Sequence, residues 1–528
     1  MALAKTLMIQ GTASHVGKSV ITAALCRIFK NRGVRVAPFK SQNMSNNSWV
    51  TADGGEIGRA QAVQAEACGI EPSVLMNPVL LKPESDASAQ VVVLGRPVSS
   101  VRTLTHPRYR RLVEPAMLDS LKTLRKKYDL VILEGAGSPA EVNLRRTDLV
   151  NMRMAQAANA PVILVGNIDW GGVFAQFVGT LELLPARDRS RVKALLINQF
   201  RGDGKVLQPG VRWLERRTKR KVLGVVPYFS DLEIAEEDSL ASNSSHGPAL
   251  RTNRKLDLIS GRTRDRRLVA AGRDELLIDV LWLPRMSNFT DFDQLARMPK
   301  VKLRFLHEPD RHQVPDLIFL PGTKSTAADL AHLRKSGMAD YLLRAQRAGS
   351  WVVGICGGYQ MLGQWIHDPE AVESKRKKTA GLELLPVETH FARTKETTRV
   401  QALHESSGTP VEAYEIHMGR TRSRGRSQPF FKVLRRGERP VPAEPEGVYR
   451  PGRAGEGAVF GTYLHGAFNS PAFLQHFLNN LRAARGLEAL SENENNSCDL
   501  PGSGLYDTLA AKIEPYLDVD FLLKMADL

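Results

Sequence analysis

Cysteine is scarce. The 528 residues hold four, Cys26, Cys68, Cys356 and Cys498, scattered with no CxxC pair and no zinc-ligand spacing. That argues against a disulfide-stapled scaffold and a structural zinc site, and the expectation is a reduced, cytoplasmic protein. No apolar run is long enough to span a bilayer. The opening MALAKTLMIQG is too short for a signal peptide and leads straight into a glycine motif, so it predicts a first core strand. There is no internal repeat. Negative charge is in deficit: 73 Lys and Arg face 56 Asp and Glu, a formal net charge of +17. Such an excess suits nucleic acid, an anionic membrane or a polyanionic small substrate. It gathers in three clusters: Arg251 to Arg273, Lys375 to Lys378, and Arg420, Arg422, Arg424 and Arg426. Aromatic side chains are not interleaved among them as a base-stacking platform requires, so nucleic acid is disfavoured; the first two clusters read as solvated loops.

The length predicts two or three domains. Over residues 1–235 apolar strands (Thr6–Gln10, Val34–Phe39, Leu130–Glu134, Pro161–Gly166, Ala194–Asn198 and Val222–Val226) alternate with amphipathic stretches. That rhythm predicts a mostly parallel sheet covered on both faces. Residues 236–276, with SNSSHG and an arginine-rich run lacking an apolar face, read as a linker and insertion. A second α/β series occupies 277–482, with LLIDVLWL, DLIFLPG, SWVVGICGG and GAVFGTYLHG as buried strands. Residues 483–528 read as a tail with an amphipathic helix over Leu505–Leu523.

GTASHVGKS, Gly11 to Ser19, follows the first strand and opens a helix. Strand, glycine loop, Lys-Ser and helix in that order make a P-loop, an ATP site. Backbone N–H groups and the helix N-terminus hold phosphates, Lys18 reaches the outer phosphates, and Ser19 can ligate Mg2+. Gly11, Thr12, Val16 and Gly17 complete the loop. Glu134 ends the strand VILEGAG with no other charge in it, which favours a metal role over a turn cap; Glu56, in GGEIGRAQA, is a weaker second candidate.

GICGGYQMLG places Cys356 on a tight turn between a buried strand and a helix, among three glycines. A lone cysteine is more often a buried small hydrophobe, but this turn exposes the sulfur and aims helix N–H groups at it, which favours the thiolate. A cysteine nucleophile needs a base, and His465, ending the last strand of the series, is the candidate. The N–H groups of Gly357 and of Gly322, in LPGTKST, are the expected oxyanion donors.

The P-loop carries one more residue between its glycines than the common form, and in this it resembles that of dethiobiotin synthetase and its amidating relatives. That resemblance implies phosphorylation of a carboxylate by ATP, a metal-ligating Glu134, an adenine-contacting Asn198, and nucleoside contacts at Gly224 and Pro227. The Cys-then-His order resembles class I glutamine amidotransferases. Many of these carry Glu two residues after the histidine; Ala467 stands there. This leaves a Cys–His dyad whose third, orienting carboxylate is absent or comes from elsewhere. The expectation is a slow glutaminase that accelerates when the synthetase half is loaded.

The two halves together resemble the cobyric acid synthase family, the fused amidotransferases of cobalamin biosynthesis. The resemblance rests on SQNMSNNS (41–48), EGAGSPAEVNL (134–144), NIDWGGVFA (167–175), INQFRGD (197–203), LPRMSNFTDFD (283–293), PGTKST (321–326), GICGGYQMLG (354–363), YEIHMGR (414–420) and YLHG (463–466). Ser41 and Trp170 depart from the expected pattern. The resemblance implies a P-loop domain of the dethiobiotin synthetase type joined to a class I amidotransferase-like domain. It also implies Mg2+, ATP, L-glutamine and a corrinoid polycarboxylate as reactants, with Gln42, Asn43, Ser45 and Asn46 as substrate contacts. The alternatives are the related a,c-diamide synthase and, far behind, a DNA-binding partitioning ATPase, which would leave Cys356 and His465 idle.

Overall fold

The computed structural model describes residues 3–85, 88–101, 107–229, 274–425, 427–491 and 503–528. They form two compact units: Met1–Ser45, Gly55–Asp238 and Pro501–Leu528 in one, Asn46–Gly54 and Ser239–Leu500 in the other. The arginine-rich run up to Arg273, together with Arg426 and Cys498, lies outside the described residues.

In the first unit six strands, β1 (Lys5–Gly11), β2 (Val36–Phe39), β3 (Leu130–Glu134), β4 (Val162–Asn167), β5 (Val192–Phe200) and β6 (Lys221–Pro227), form a parallel sheet in the order β6-β5-β4-β1-β3-β2. Two apolar clusters cover it, one containing Met8, Leu133 and Leu164, the other Leu7, Ile9 and Ile163. Alternate residues of one strand thus serve opposite faces, as a sheet buried on both sides demands. A smaller sheet of Gln42–Met44, Val79–Ser85, Ser88–Val93 and Arg96–Val101 was not evident from the sequence.

The chain's end is not a separate tail. The expected single helix is two, Ser503–Ile513 and Val519–Ala526, broken at Glu514–Tyr516, which contains Pro515. Leu509, Ile513, Leu517 and Leu522 are buried in the same cluster as Leu7 and Ile9. Gly224, expected near a nucleoside, lies against this segment: a Cβ there would lie 1.9 Å from the Tyr516 carbonyl oxygen.

The second unit holds β7 (Leu276–Leu281), β8 (Val301–Leu306), β9 (Leu317–Leu320), β10 (Trp351–Ile355), β13 (Val448–Arg450) and β14 (Val459–Thr462), in the order β8-β7-β9-β10-β14-β13 with only β13 antiparallel. A mostly antiparallel sheet packs in the same unit and includes β11 (Val387–His404) and β12 (Pro410–Ser423). Lys375, Arg376, Lys377 and Lys378 are exposed, and so are Arg420, Arg422 and Arg424, the first two on β12. Among the described residues no helix is long and apolar enough to cross a membrane.

Candidate functional site

At the first site the register sets Glu134 beside Ile9, two residues before Gly11. The loop after β1 turns into the helix Lys18–Asn31 through Gly17, whose φ of 91° suits glycine. Asn198, at the end of β5, donates from Nδ2 to the Val16 carbonyl at 2.9 Å, and a Cβ on Gly17 would lie 2.2 Å from that nitrogen. Asn198 therefore braces the loop backbone in this structure. Lys18 folds back over the loop, donating to the carbonyls of Ala13 at 3.1 Å and Gly137 at 3.4 Å. Thr12 Oγ1 donates to Gln176 Oε1 at 2.9 Å, and Val16 is fully buried.

Glu134 is the hub. It accepts from Ser19 Oγ at 2.8 Å, Lys40 Nζ at 3.1 Å and Gln64 Nε2 at 2.5 Å. Lys40 was missed in the sequence; its one signal was a lysine just past the end of an apolar strand. Glu56 is different. It is fully buried and ion-paired with Lys82, so its charge is already neutralised there. Of the proposed substrate contacts, Gln42 accepts from the Tyr109 hydroxyl, Asn43 donates to Gln61, and the Ser45 N–H donates to the Leu81 carbonyl. Asn46 belongs to the second unit, and its Oδ1 is buried without a hydrogen-bond partner. Pro227 ends β6, half-buried.

At the second site Cys356 sits between β10 and the helix Gly357–Leu362 with φ 50° and ψ −106°, a strained conformation for a non-glycine residue. A Cβ on Gly358 would lie 1.8 Å from the Leu320 carbonyl oxygen, so only glycine allows this elbow against β9. Register puts Leu320 beside Gly354 and Ile355 beside Thr462, which brings the loop after β9, Cys356 and the chain leading to His465 to one sheet end. Gly357 lies against Thr323 of that loop, and Gly322 lies against His465. Asp329 fixes the loop by accepting from Thr323 Oγ1 and the Arg285 N–H; burial raises its pKa to about 6.

The dyad has its third member. Asp291 Oδ2 lies 2.7 Å from His465 Nδ1, and Asp291 Oδ1 accepts from the Gly466 N–H at 2.7 Å. The carboxylate missing at Ala467 comes from 174 residues upstream, out of the LPRMSNFTDFD motif, whose length without any structural signal was the only hint. This removes the reason for expecting a glutaminase slowed by an unoriented histidine. Burial alone would lower the His465 pKa; the Asp291 carboxylate and the Cys356 sulfur outweigh it and raise the value to about 10. Cys356 Sγ also lies 3.6 Å from the Ile416 carbonyl oxygen.

Gly322 offers a sharp test of this packing. A Cβ at Gly322 would meet His465 Cε1 at 2.9 Å and Ser287 Oγ at 3.3 Å, forcing the imidazole to move. Gly322→Ala is expected to lower glutamine hydrolysis on the order of a hundredfold, the cost of misplacing a catalytic group by about 1 Å. Amidation from added ammonia should be unchanged, and comparing the two nitrogen donors checks it.

A cysteine–histidine–aspartate elbow on one unit and a P-loop on the other define a glutamine amidotransferase carrying its own nucleotide-binding domain. Residues 277–473 match the CobB/CobQ-like glutamine amidotransferase domain, and 7–241 the CobQ/CobB/MinD/ParA nucleotide binding domain. The chain is 47% identical to a cobyric acid synthase of Sorangium cellulosum over 98% of its own length and 97% of the relative's. It is 45% identical to one of Dehalococcoides mccartyi (strain CBDB1) over 92% of both chains, and 44% identical to one of Streptococcus sanguinis over 98% of both. The chain belongs to the cobyric acid synthase family.

Proposed function

We propose that the protein amidates the b, d, e and g carboxylates of cobyrinic acid a,c-diamide, free or adenosylated, using ATP and glutamine, to give cobyric acid. The observation that carries the reading is the pairing, on one chain, of the Asp291–His465–Cys356 constellation with the Lys18–Ser19–Glu134 cluster.

In the glutaminase reaction the Cys356 thiolate attacks the side-chain amide carbon of glutamine. The oxygen becomes an oxyanion facing the N–H groups of Gly357 and Gly322. The His465 imidazolium gives its proton to the departing nitrogen, which leaves as ammonia. His465, now neutral, takes a proton from water, and the resulting hydroxide releases glutamate from the thioester. Asp291 holds the Nδ1 proton throughout, so Nε2 is the nitrogen that exchanges protons.

In the synthetase reaction a corrinoid carboxylate oxygen attacks the γ-phosphorus of ATP and ADP leaves. Ammonia then attacks the acyl phosphate and phosphate departs, giving the amide. In this reading Lys18 and the loop N–H groups would hold the phosphates, with the buried Lys40 at Glu134. The hydroxyl and carboxylate oxygens of Ser19 and Glu134, 2.8 Å apart, are the hard donors that suit Mg2+. Mg2+ held there would supply charge neutralisation for the phosphates. Asn198 and Pro227 are proposed at the nucleoside, and Gln42, Asn43, Ser45 and Asn46 at the corrinoid. The net charge of +17 favours capture of a polycarboxylate.

Glu134→Gln is expected to lower amidation from either nitrogen donor and to raise the Mg2+ concentration needed for half-maximal rate. Near-normal turnover with an unchanged Mg2+ dependence would return Glu134 to the status of a strand cap. The reading as a whole is tested by ADP release. ATP turnover should require corrinoid plus glutamine or ammonia, and DNA should not stimulate it; stimulation by DNA alone would favour the partitioning-ATPase alternative.

A further inference from the structure

Residues 47–49, which follow the proposed corrinoid contacts directly in the chain, belong to the second unit and touch the glutaminase constellation from two sides. On the aspartate side, the Ser48 N–H donates to Asn288 Oδ1 at 3.1 Å, and Thr290 Oγ1 donates to Asn47 Oδ1 at 3.3 Å. Asn288 opens the 3₁₀ turn Phe289–Phe292 that carries Asp291, and its carbonyl accepts the Asp291 N–H at 3.0 Å. Its φ of 52° is a left-handed conformation that asparagine tolerates better than most residues. On the ring side, Trp49 packs on Tyr414 with centroids 5.4 Å apart, and Tyr414 stacks on the His465 imidazole at 5.5 Å and 21°. Tyr414 and His465 also exchange backbone hydrogen bonds of 2.9 and 3.0 Å. The stretch is itself anchored, since Arg399 Nε donates to the Val50 carbonyl at 2.9 Å. Asn47, Ser48, Asn288, Asp291 and His465 are each at most 2% exposed. A buried polar chain of this kind holds its members to one geometry, because any broken link leaves a desolvated group unpaired.

We infer that Asn47, Ser48 and Trp49, acting with Asn288, are positioning residues of the glutaminase: they fix the Asp291 turn and the Tyr414 ring, and through them the orientation of His465. The inference rests on the triad reading given under Proposed function. It makes glutamine hydrolysis dependent on the piece of chain that directly continues the proposed corrinoid loop.

The titratable groups facing His465 are Asp291 from the turn after β7, Cys356 from the elbow, and Tyr414 and His417 from β12. His417 stays neutral, because burial lowers its pKa to about 4. Loosening Asp291 therefore removes a large support of the His465 proton. The imidazolium should deprotonate at lower pH, taking with it the general acid of glutamine hydrolysis and the positive charge that draws an anionic alkylating agent to Cys356.

The test uses the full-length enzyme and five variants. Asn288→Gly keeps the backbone conformation and removes the carboxamide, while Asn288→Asp keeps an acceptor oxygen for Ser48. Trp49→Ala removes the ring pressed on Tyr414, and Trp49→Phe keeps one. Asp291→Asn is the reference for the triad. Glutamine hydrolysis and the rate of Cys356 alkylation by the anion iodoacetate, which the imidazolium charge attracts, are followed across pH, with ammonia-dependent amidation as the control for folding. Asn288→Gly and Trp49→Ala should each lower kcat about tenfold, as expected within one coupled network, with KM within about twofold. Their alkylation profiles should lose reactivity about one pH unit earlier on the alkaline side. Asn288→Asp and Trp49→Phe should stay near wild type. If Asp291→Asn is impaired while Asn288→Gly and Trp49→Ala match wild type in kcat and alkaline limb, the positioning inference is overturned and the triad stands. If Asp291→Asn itself matches wild type, the triad reading falls and takes the inference with it.

Discussion

Cys356→Ser is expected to abolish the use of glutamine while leaving amidation from high external ammonia at the wild-type rate. The sulfur sits at a strained elbow, φ 50°, with His465 beside it as the base and a pKa of about 10 keeping that histidine charged at neutral pH. A serine hydroxyl ionises far less readily than a thiol, so the thiolate–imidazolium pair that attacks glutamine does not form. The loss should be on the order of ten-thousandfold or more, the scale seen when one member of a concerted nucleophile–base unit is removed. Cys356 serves only ammonia release in this account, so external ammonia bypasses the defect. Equal loss with both nitrogen donors would contradict the division of labour.

Lys18→Ala should remove amidation from glutamine and from ammonia alike. Lys18 belongs to the loop that receives the phosphates, and its Nζ donates to the Ala13 and Gly137 carbonyls. Without it the charge developing on the transferring phosphoryl loses a fixed partner, and a cation in that role is worth on the order of a thousandfold. Glutamine hydrolysis measured without ATP should persist in this variant. That asymmetry separates a phosphoryl-transfer lesion from misfolding, which would remove both activities.

The parallel sheets were legible because strands buried on both faces read as apolar runs, and β1, β3, β4 and β9 stand out as VILE-like blocks between glycine turns. The antiparallel sheet was not. β11 runs for 18 residues with Glu388, Thr389, Lys395, Glu396 and Arg399 among its side chains, and such a half-solvated strand resembles a loop in composition. Cys356, His465, Lys18 and Ser19 were legible because each sits where a strand meets a glycine turn. Asp291 and Lys40 were not, because each gains its role from a partner far along the chain, His465 and Glu134. The partner of Glu56 was hidden for the same reason. Its sequence surroundings hid Lys82, whose ammonium neutralises it.

The most direct test of the account supplies cobyrinic acid a,c-diamide, Mg·ATP and glutamine labelled with 15N at the side-chain amide, and follows the corrinoid by mass spectrometry. The account predicts successive label incorporation at the b, d, e and g positions, with one ADP formed per amide, no label in the Cys356→Ser product made from unlabelled ammonia, and no amide without ATP. A corrinoid that stays unamidated while glutamine and ATP are both consumed would contradict it.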